Sequence, residues 1–398
     1  MQDWSTYVRF FSKHRVKIFW FIVALSVFTL IFSFRFQAVP TAFSTGEQTN
    51  LTSSHSLKTI LDNPVNAPYK LLVWLPFKLG IKSLAITRVA ASIFGAMVLC
   101  IFFLILKQRY SLRQAIFGTA IFASSGLFLH AARLGSPDIL QAAMLMPFVM
   151  PLLWYQKRLP RSLIVYCTII LCAICLYIPG FLWVGLAGVL AYRRQIVAFI
   201  KAMDNKHLII STLLSVILVF PLFWSSLSDL GIWRDLFGLP SSLPSPAQLV
   251  SNVYHSFESL IFKSSLSAEH TLIGAPILTS IEIILVLFGA YNLWKKPRLA
   301  TTYYISGLLL LAIMLNSLGG SISLFMAAPF IYMFISAGIY FLLQEWLTVF
   351  PRNPVAKHFA VVVMVLLVAT SITFQLRSYF VAWPHNQHTK DVFTVEKL

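Results

Sequence analysis

The chain has 398 residues, of which 58% are hydrophobic and 11% are charged, and it carries a formal net charge of +18. Soluble domains have about 25% charged residues, so this composition excludes a soluble globular protein and predicts an all-α polytopic membrane protein. In a membrane protein, an excess of basic residues is typical of cytoplasmic loops that lie against anionic lipid, so we expect no nucleic-acid partner.

The apolar runs predict about eleven transmembrane helices in a single integral membrane domain, residues 1–398. The first run follows four basic residues and lacks a small-residue cleavage site, which favours a retained span over a signal peptide. A crossing needs roughly 20 apolar residues, so the short sixth run could instead be a re-entrant hairpin after Pro179 and Gly180. The predicted spans are 18–36, 85–106, 114–133, 137–155, 162–178, 180–192, 208–226, 272–294, 302–317, 322–345 and 358–376.

Lysine and arginine concentrate in alternate loops, which predicts the orientation. The basic loops contain Lys107, Arg109, Arg113, Lys157, Arg158, Arg161, Arg193, Arg194, Lys201, Lys206, Lys295, Lys296, Arg298, Arg352 and Lys357. The opposite loops hold the acids Glu47, Asp62, Asp138, Asp229, Asp235, Glu258 and Glu269. Because basic loops stay in the cytoplasm, we expect a multi-pass plasma-membrane protein with its N-terminus inside and its C-terminus outside.

Three outer segments are longer than a turn requires: 37–84, 227–271 and the tail 377–398. The first places Glu47 and Asp62 among amides, hydroxyls and lysines. Within it, residues 69–80 have leucines at helical spacing with Lys70, Lys78 and Lys82 interspersed, which predicts an interfacial helix. The alternative is a solvated loop with an amphipathic helix of no chemical role.

The outer turn between spans three and four runs from Arg133 to Asp138. Pro137 and Asp138 suit the first turn of a helix, so a purely structural role is one interpretation. The other interpretation places Asp138 and Glu47 in one outer cavity, where two acids could bind a divalent cation or act as base and orienter.

Three further polar residues lie in or beside the spans. Arg88 opens span two and can either reach lipid headgroups or bind a lipid phosphate. His130 lies one turn before Arg133, should face the same way, and is more typical of packing than of chemistry. Glu282 falls near the middle of predicted span eight, so it is either a functional intramembrane acid or a group bonded across helices, for example to Ser280 or a neighbouring hydroxyl.

These motifs, in this order, resemble the membrane-embedded GT-C glycosyltransferases, in particular the protein O-mannosyltransferase and lipid A aminoarabinose transferase group. In that family an acidic motif in the first outer loop precedes an Asn/Pro-rich segment, an interfacial helix and a Gly-x-Ser-x-x-x-x-Arg step. The matching residues are Gly46-Glu47, Asp62-Asn63-Pro64, Ala67-Pro68-Tyr69, Gly80 to Arg88, the Arg133 to Asp138 turn, and Leu318-Gly319-Gly320 running to Pro329.

The resemblance implies a GT-C-like bundle with interfacial helices in the first outer loop and a glycosyltransferase of class EC 2.4. Its donor would be a sugar on a polyprenyl phosphate, and its acceptor a hydroxyl of a lipid, glycan or protein at the outer face. The implied catalytic residues are Glu47 and Asp138, which would also be the ligands of any divalent metal. The implied substrate-binding residues are Arg88, Arg133, Lys70, Lys82, Asp62 and Tyr69. No phosphate-binding glycine loop occurs, so no nucleotide cofactor is expected.

Two departures from the family pattern bear on the chemistry. Gly46 stands where the family usually has its first acid, so Glu47 or Asp138 would have to act as the base. Asn66 stands where a lysine often precedes the Pro pair, and the late outer turn lacks the usual basic residue. The rival hypotheses are a lipid or polysaccharide transporter or flippase, which predicts charges along an intramembrane path, and a non-catalytic relative.

Overall fold

The computed structural model describes residue 40, the ranges 42–81, 83–145, 161–201, 205–264, 266–295 and 299–395, and residue 147. The first predicted span, Lys82 and most of the second half of the fourth span lie outside these residues. From residue 42 onward, the described residues belong to one compact unit that runs from Ala42 to Leu398.

Three short helices form the first polar segment: α1 Thr45–Thr52, α2 Leu57–Asp62 and α3 Ala67–Lys78. The side-chain oxygens of Ser44 and Ser56 accept hydrogen bonds from the first turns of α1 and α2, which satisfies otherwise free backbone donors. Helix α3 begins after Asn66, which adopts a left-handed backbone with φ of 59°. A helix therefore forms where the leucine spacing predicts one.

The apolar runs form most of the remaining helices. In chain order they are α4 Ala85–Arg109, α5 Leu112–Ser124, α6 Gly126–Arg133, α7 Ile139–Ala143, α8 Arg161–Cys175, α9 Phe181–Lys201, α10 Asn205–Ser228, α11 Gly231–Phe237, α12 Pro246–Ile261, α13 Ser280–Lys295, α14 Leu299–Ser317, α15 Ala328–Val349, α16 Pro354–Arg377, α17 Trp383–His385 and α18 Gln387–Val392. A 3₁₀ turn, Leu324–Met326, precedes α15, and a π-helical turn, Ser378–Ala382, follows α16.

Within the described ranges, four helical stretches are long and apolar enough to cross a membrane, and a fifth is added if the bent pair α5–α6 counts as one span. They are Ala85–Arg109, Asn205–Ser228, Leu324–Val349 and Pro354–His385. The described residues form no extended sheet; their only strand-like pairing is the bridge between Phe43 and Val395. The predicted class, a helical membrane protein, is confirmed.

Several predicted spans differ from the helices that form: the sixth, for example, is the first part of the 21-residue helix Phe181–Lys201, and the third and eighth differ for clear reasons. The third is broken at Ser125, where α5 and α6 meet at a bend of 63°. Ser125 has extended backbone, and its hydroxyl caps α6 by accepting the N–H of Phe128. The side chain of Gln375 accepts the N–H of Gly126. The backbone N–H groups of Gly126 and Phe128 at the break therefore keep hydrogen-bond partners. The eighth span begins at Ser280 rather than at 272, because Gly274 has φ of 87° and Thr279 caps α13.

Helices α13 and α15 pack backbone to backbone through two glycines. A Cβ atom on Gly289 would lie 1.9 Å from the carbonyl oxygen of Phe334, and one on Gly338 would lie 2.1 Å from that of Leu285. Small residues at such crossings let two membrane helices approach closely.

Replacing Gly338 by alanine is therefore expected to force α13 and α15 apart and to lower the melting temperature. Overpacking of this kind typically costs about 1–3 kcal/mol. Gly307→Ala is the matched control, because a Cβ on this helical glycine has no neighbour within 4 Å. Alanine should there stabilise the helix by about 0.5–1 kcal/mol. Reaction of the buried thiol of Cys175 with a fluorescent maleimide during heating would report both transitions. Equal melting temperatures for the two variants would contradict the close crossing.

Polar segments meet at one end of the helices, and we call this region the polar layer: residues 42–81, 83–84, 134–141, 229–264, 266–279, 318–327 and 378–395. Hydrogen bonds between distant parts of the chain hold it together. Gln141 bonds to the backbone of Ser321 and Ser323, and Trp383 donates to the carbonyl of Ala268 at 2.9 Å. The first polar segment bonds to the second long loop through Ser44 and Glu269 and to the tail through Phe43 and Val395, so the three segments form one assembly.

Candidate active site

Glu47 occupies the centre of the polar layer because of the local sequence Ser-Thr-Gly-Glu. Ser44 caps α1 and accepts the N–H of Glu47, while the Glu47 carboxylate accepts the N–H of Ser44 at 3.0 Å. This reciprocal capping box fixes the carboxylate at the start of the helix, where the helix dipole favours negative charge. The side chain is buried, so it needs partners beyond its own helix.

Arg88 is the main partner of Glu47, and together they form a buried two-pronged ion pair. Arg88 Nε donates to Glu47 Oε1 at 2.7 Å, and Nη2 donates to Oε2 at 2.9 Å. The backbone N–H of Gly135 also donates to Oε1, at 2.8 Å. With the Ser44 N–H, the carboxylate accepts four hydrogen bonds, which is the full capacity of its two oxygens.

The tail covers this ion pair. The guanidinium of Arg88 lies 4.2 Å from the ring centre of Phe43 and donates to the carbonyl of Ala42 at 2.8 Å. Phe43 in turn exchanges two backbone hydrogen bonds with Val395, at 2.9 and 3.0 Å. The last described residue is therefore attached to the segment that precedes α1, and Arg88 has an exposed fraction of only 1%.

Gly135 brings the turn between α6 and α7 against the ion pair. A Cβ atom at this position would lie 2.2 Å from Thr87 Oγ1 and 3.0 Å from Glu47 Cγ, so any side chain would force the turn away. Glycine thus permits the hydrogen bond to Glu47 and sets the position of Asp138, three residues further on.

Asp138 is the carboxylate of this turn that solvent reaches. Its Oδ2 accepts a short hydrogen bond from the hydroxyl of Ser136 and lies 3.6 Å from Nε2 of His270. The side chains of Asp138 and His270 are 18% and 24% exposed. The ring of His270 also packs edge-on against Phe325. Asp138 and His270 are thus held together at an accessible edge of the site.

Glu269 places a further carboxylate beside Gly46. Ser44 Oγ donates to Glu269 Oε1 at 2.5 Å, and a Cβ on Gly46 would lie 3.2 Å from the same oxygen. Glu269 is half-buried, unlike the fully buried Glu47. Glu269, which belongs to the second long loop, therefore places its carboxylate next to Gly46 of the first outer loop.

Arg133 is buried against the tail rather than exposed at the rim. Its guanidinium lies 4.7 Å from the ring of Phe380 and 5.6 Å from that of Tyr379. His130 packs edge-on against Tyr379 and Trp383. His130 and Arg133 thus contact the same tail aromatic, as their one-turn spacing predicts.

Tyr69 joins α3 to the start of α4. Its hydroxyl donates to the carbonyl of Thr87 at 2.9 Å, and the side chain is buried. Burial raises the pKa of Tyr69 well above its usual value, and the negative charges of Glu47 and Asp138 raise it further. Tyr69 therefore stays a neutral donor, and its surroundings include both predicted carboxylates.

Lys70 is the accessible cation among the predicted substrate-binding residues. It is half-buried, and its ammonium donates to the carbonyl of Asn63 at 2.7 Å. Burial lowers the pKa of Lys70 to about 8, an effect that nearby Asp235 partly opposes. Asp62 is exposed at the end of α2. Lys82, the remaining predicted cation, lies outside the described residues.

Glu282 lies in the first turn of α13, not near the middle of a span. Its Oε2 accepts the N–H of Thr279 at 2.7 Å and the side-chain amide of Gln375 at 2.8 Å. Tyr332 donates to Oε1 at 3.4 Å. The interpretation as a group bonded across helices is therefore correct, with Gln375 and the hydroxyl of Tyr332 as the partners from other helices and the N–H of Thr279 as the local one.

No group of three or more His, Cys, Asp or Glu side chains with metal-binding geometry occurs in the part of the chain that the structure describes. Glu47, the first predicted metal ligand, has its oxygens occupied by four donors. Glu47 therefore has no free oxygen for a metal ion while this arrangement persists.

The sequence placed Glu269 in an outer loop but did not assign it to the site, and it gave no role to His270 or to the tail aromatics Tyr379 and Trp383. An adjacent acid and histidine in a long outer loop was a usable indication of a site. The tail carries four aromatic residues, Tyr379, Phe380, Trp383 and Phe393, which indicated packing. Neither pattern names its partner, because the contacts of Glu269 with Ser44, of His270 with Asp138 and of Trp383 with Ala268 each span more than 100 residues.

Comparison with protein-family models and with curated protein sequences gives no match for this chain.

Proposed function

We propose that this protein is a GT-C-like glycosyltransferase that moves a sugar from a polyprenyl-phosphate donor to a hydroxyl acceptor at the outer face of the membrane. One observation carries the proposal: Glu47 of the first polar segment, Arg88 of helix α4 and the Gly135–Asp138 turn meet in one site. Glu47 bonds to groups 41 and 88 residues away. The resemblance in motif order and the membrane-helical fold support the same assignment.

The proposed topology is a bundle of about eleven spans in the plasma membrane, with the N-terminus in the cytoplasm and the tail outside. Helices α1–α3 would lie in the outer interface. The exposed Leu71, Leu75 and Leu79 at one side of α3 support this, as does Lys78, which lies over the ring of Trp74. The lipid tail of the donor would lie among the spans, and the acceptor would be a lipid, glycan or protein.

Asp138 is the residue best placed to accept the proton of the acceptor hydroxyl, because it is accessible whereas Glu47 is buried and fully bonded. As the proton moves to Asp138, the acceptor oxygen forms a bond to the anomeric carbon of the sugar. The bond from that carbon to the phosphate oxygen breaks, and the polyprenyl phosphate leaves with the electron pair. His270 and Glu269 flank this position, and Glu47 with Arg88 fixes the turn that carries Asp138.

The leaving phosphate needs a cation, and Lys70 is the candidate that solvent can reach. Arg88 and Arg133 were predicted for this role from the sequence. Both are buried at 1% exposure, with Arg88 bonded to Glu47. For either arginine to contact phosphate, the tail and the residues before α1 would have to move.

Donor binding is expected to weaken above pH 8 if Lys70 binds the phosphate. Its pKa of about 8 means that the charge is present below this pH and lost as the pH rises through it. Roughly 10% of the side chains keep the proton at pH 9. The KM for the donor should therefore rise between pH 7 and pH 9, and Lys70→Arg, which stays charged, should remove this dependence. A KM that rises equally in both proteins would contradict the assignment.

The test of the function is transfer from a panel of polyprenyl-phosphate sugars by purified protein in lipid vesicles, with alcohol, glycolipid and peptide acceptors. Radiolabelled product is expected with at least one donor. Energy-independent movement of the donor between leaflets without product would favour the flippase. Donor binding without any product across all acceptors would favour a non-catalytic relative.

A further inference from the structure

Helix α12, Pro246–Ile261, has three different sides, and this is unusual for a helix in a solvated loop. Apolar residues at i, i+4, i+7 and i+11 form one exposed side. They are Val250, Tyr254, Phe257 and Ile261, with exposed fractions of 71%, 63%, 41% and 37%. At 100° per residue this stripe spans roughly 60° of the helix surface. We call it the α12 stripe.

The second side of α12 faces the protein and is polar. Asn252 donates to the carbonyl of Ser317 at 2.9 Å, and Ser256 accepts from the side-chain amide of Asn316 at 3.0 Å. Ser256 and Ser259 are buried. Helix α12 is therefore fixed to the end of α14 by hydrogen bonds, with Leu260 buried beside the serines, and the α12 stripe is left outside.

The third side is polar and exposed. It carries Ser251 and His255, and His255 bonds to Glu258 at 2.9 Å. The charged groups of the helix thus lie next to the α12 stripe and never within it. A helix with separate protein, water and apolar sides is what a position at a membrane boundary requires.

We infer that α12 lies in the membrane interface, with the α12 stripe in the lipid and Ser251 and His255 in water. Through its polar side, α12 is attached to the end of α14, an apolar helix whose Leu310 and Met314 are 58% and 54% exposed. The α12 stripe therefore lies at the end of a helix that itself has an exposed apolar surface, as lipid requires. Tyr254 fits this level, because tyrosine is enriched where the bilayer meets water.

The position of α12 also sets the depth of the candidate site relative to the membrane surface. Helix α12 ends at Ile261, and the same loop continues to Glu269 and His270. Anchoring α12 in lipid holds this loop at the membrane surface, where a lipid substrate presents its headgroup. This position of α12 does not depend on the transferase assignment.

Spin labels on single cysteines in a background without native cysteines test this inference. Labels at positions 250, 254, 251 and 255 would be compared in phosphatidylcholine vesicles, using oxygen as the lipid-soluble and a nickel chelate as the water-soluble relaxation agent. Positions 310 and 242 are the references for lipid and water, since Leu310 lies on α14 and Ser242 is exposed in the polar layer.

We expect labels at 250 and 254 to relax faster with oxygen, like the label at 310, and labels at 251 and 255 to relax faster with nickel. The logarithm of the ratio of oxygen accessibility to nickel accessibility should therefore change sign between the adjacent positions 250 and 251. Nickel access at all four positions would overturn the inference, because the helix would then lie in water. Protection of 250 and 254 from both agents would also overturn it, since a second copy or another protein would then cover the α12 stripe.

Discussion

Arg88→Met is expected to destabilise this protein more than most single substitutions, by about 3–5 kcal/mol. The methionine leaves the Glu47 carboxylate buried without its cation, although the N–H groups of Ser44 and Gly135 still bond to it. The contact of the guanidinium with Phe43 and its bond to the carbonyl of Ala42 are lost as well. Reaction of the Cys175 thiol with a fluorescent maleimide during heating would report the fall in melting temperature.

The matched control is Glu345→Gln, which removes the ion pair between Lys295 and Glu345. That pair is separated by 3.7 Å and both side chains are about half exposed, so its loss should cost less than about 1 kcal/mol. The double variant Glu47→Gln with Arg88→Met should recover part of the lost stability, because no buried charge remains. A melting temperature for Arg88→Met as high as that of the control would contradict the central role of this pair.

Asp138→Asn is expected to lower kcat for sugar transfer by roughly 10²- to 10⁴-fold, because the amide cannot accept the acceptor proton. The amide oxygen can still accept the hydrogen bond from Ser136, so the turn should keep its shape. Asp138→Asn should change the KM for the donor little, whereas substitution of Lys70 should act mainly on this KM. Initial rates with varied donor at saturating acceptor would separate the two effects.

Asp391→Asn is the control for the loss of a carboxylate, since Asp391 is exposed on α18 and bonds only to the neighbouring Gln387 among its described contacts. It should transfer sugar at the wild-type rate. Glu47→Gln should lower both activity and melting temperature, which marks a positioning role. If Asp138→Asn keeps full activity while Glu269→Gln loses it, the base is Glu269 and our assignment of Asp138 is wrong.

The sequence determined the class of the protein and the location of its helices, because both follow from local composition. A chain with 11% charged residues and long apolar runs must place those runs in lipid. The spacing of leucines after Pro68 predicted α3, and the step to Arg88 predicted the start of α4. Glu47 and Asp138 were chosen from their polar segments, and the structure brings these segments together.

Only the tertiary structure decided which groups pair and which stay accessible. The break at Ser125 depends on Gln375, and the environment of Glu282 depends on Gln375 and Tyr332, all distant in sequence. The sequence predicted Glu47 as a catalytic residue and Arg88 as a substrate-binding residue, but in the structure each is the partner of the other. Glu269 beside Gly46 could not be found either, because a bond across 225 residues leaves no local pattern. Burying a charge requires a partner, and the fold alone decides which segment supplies it.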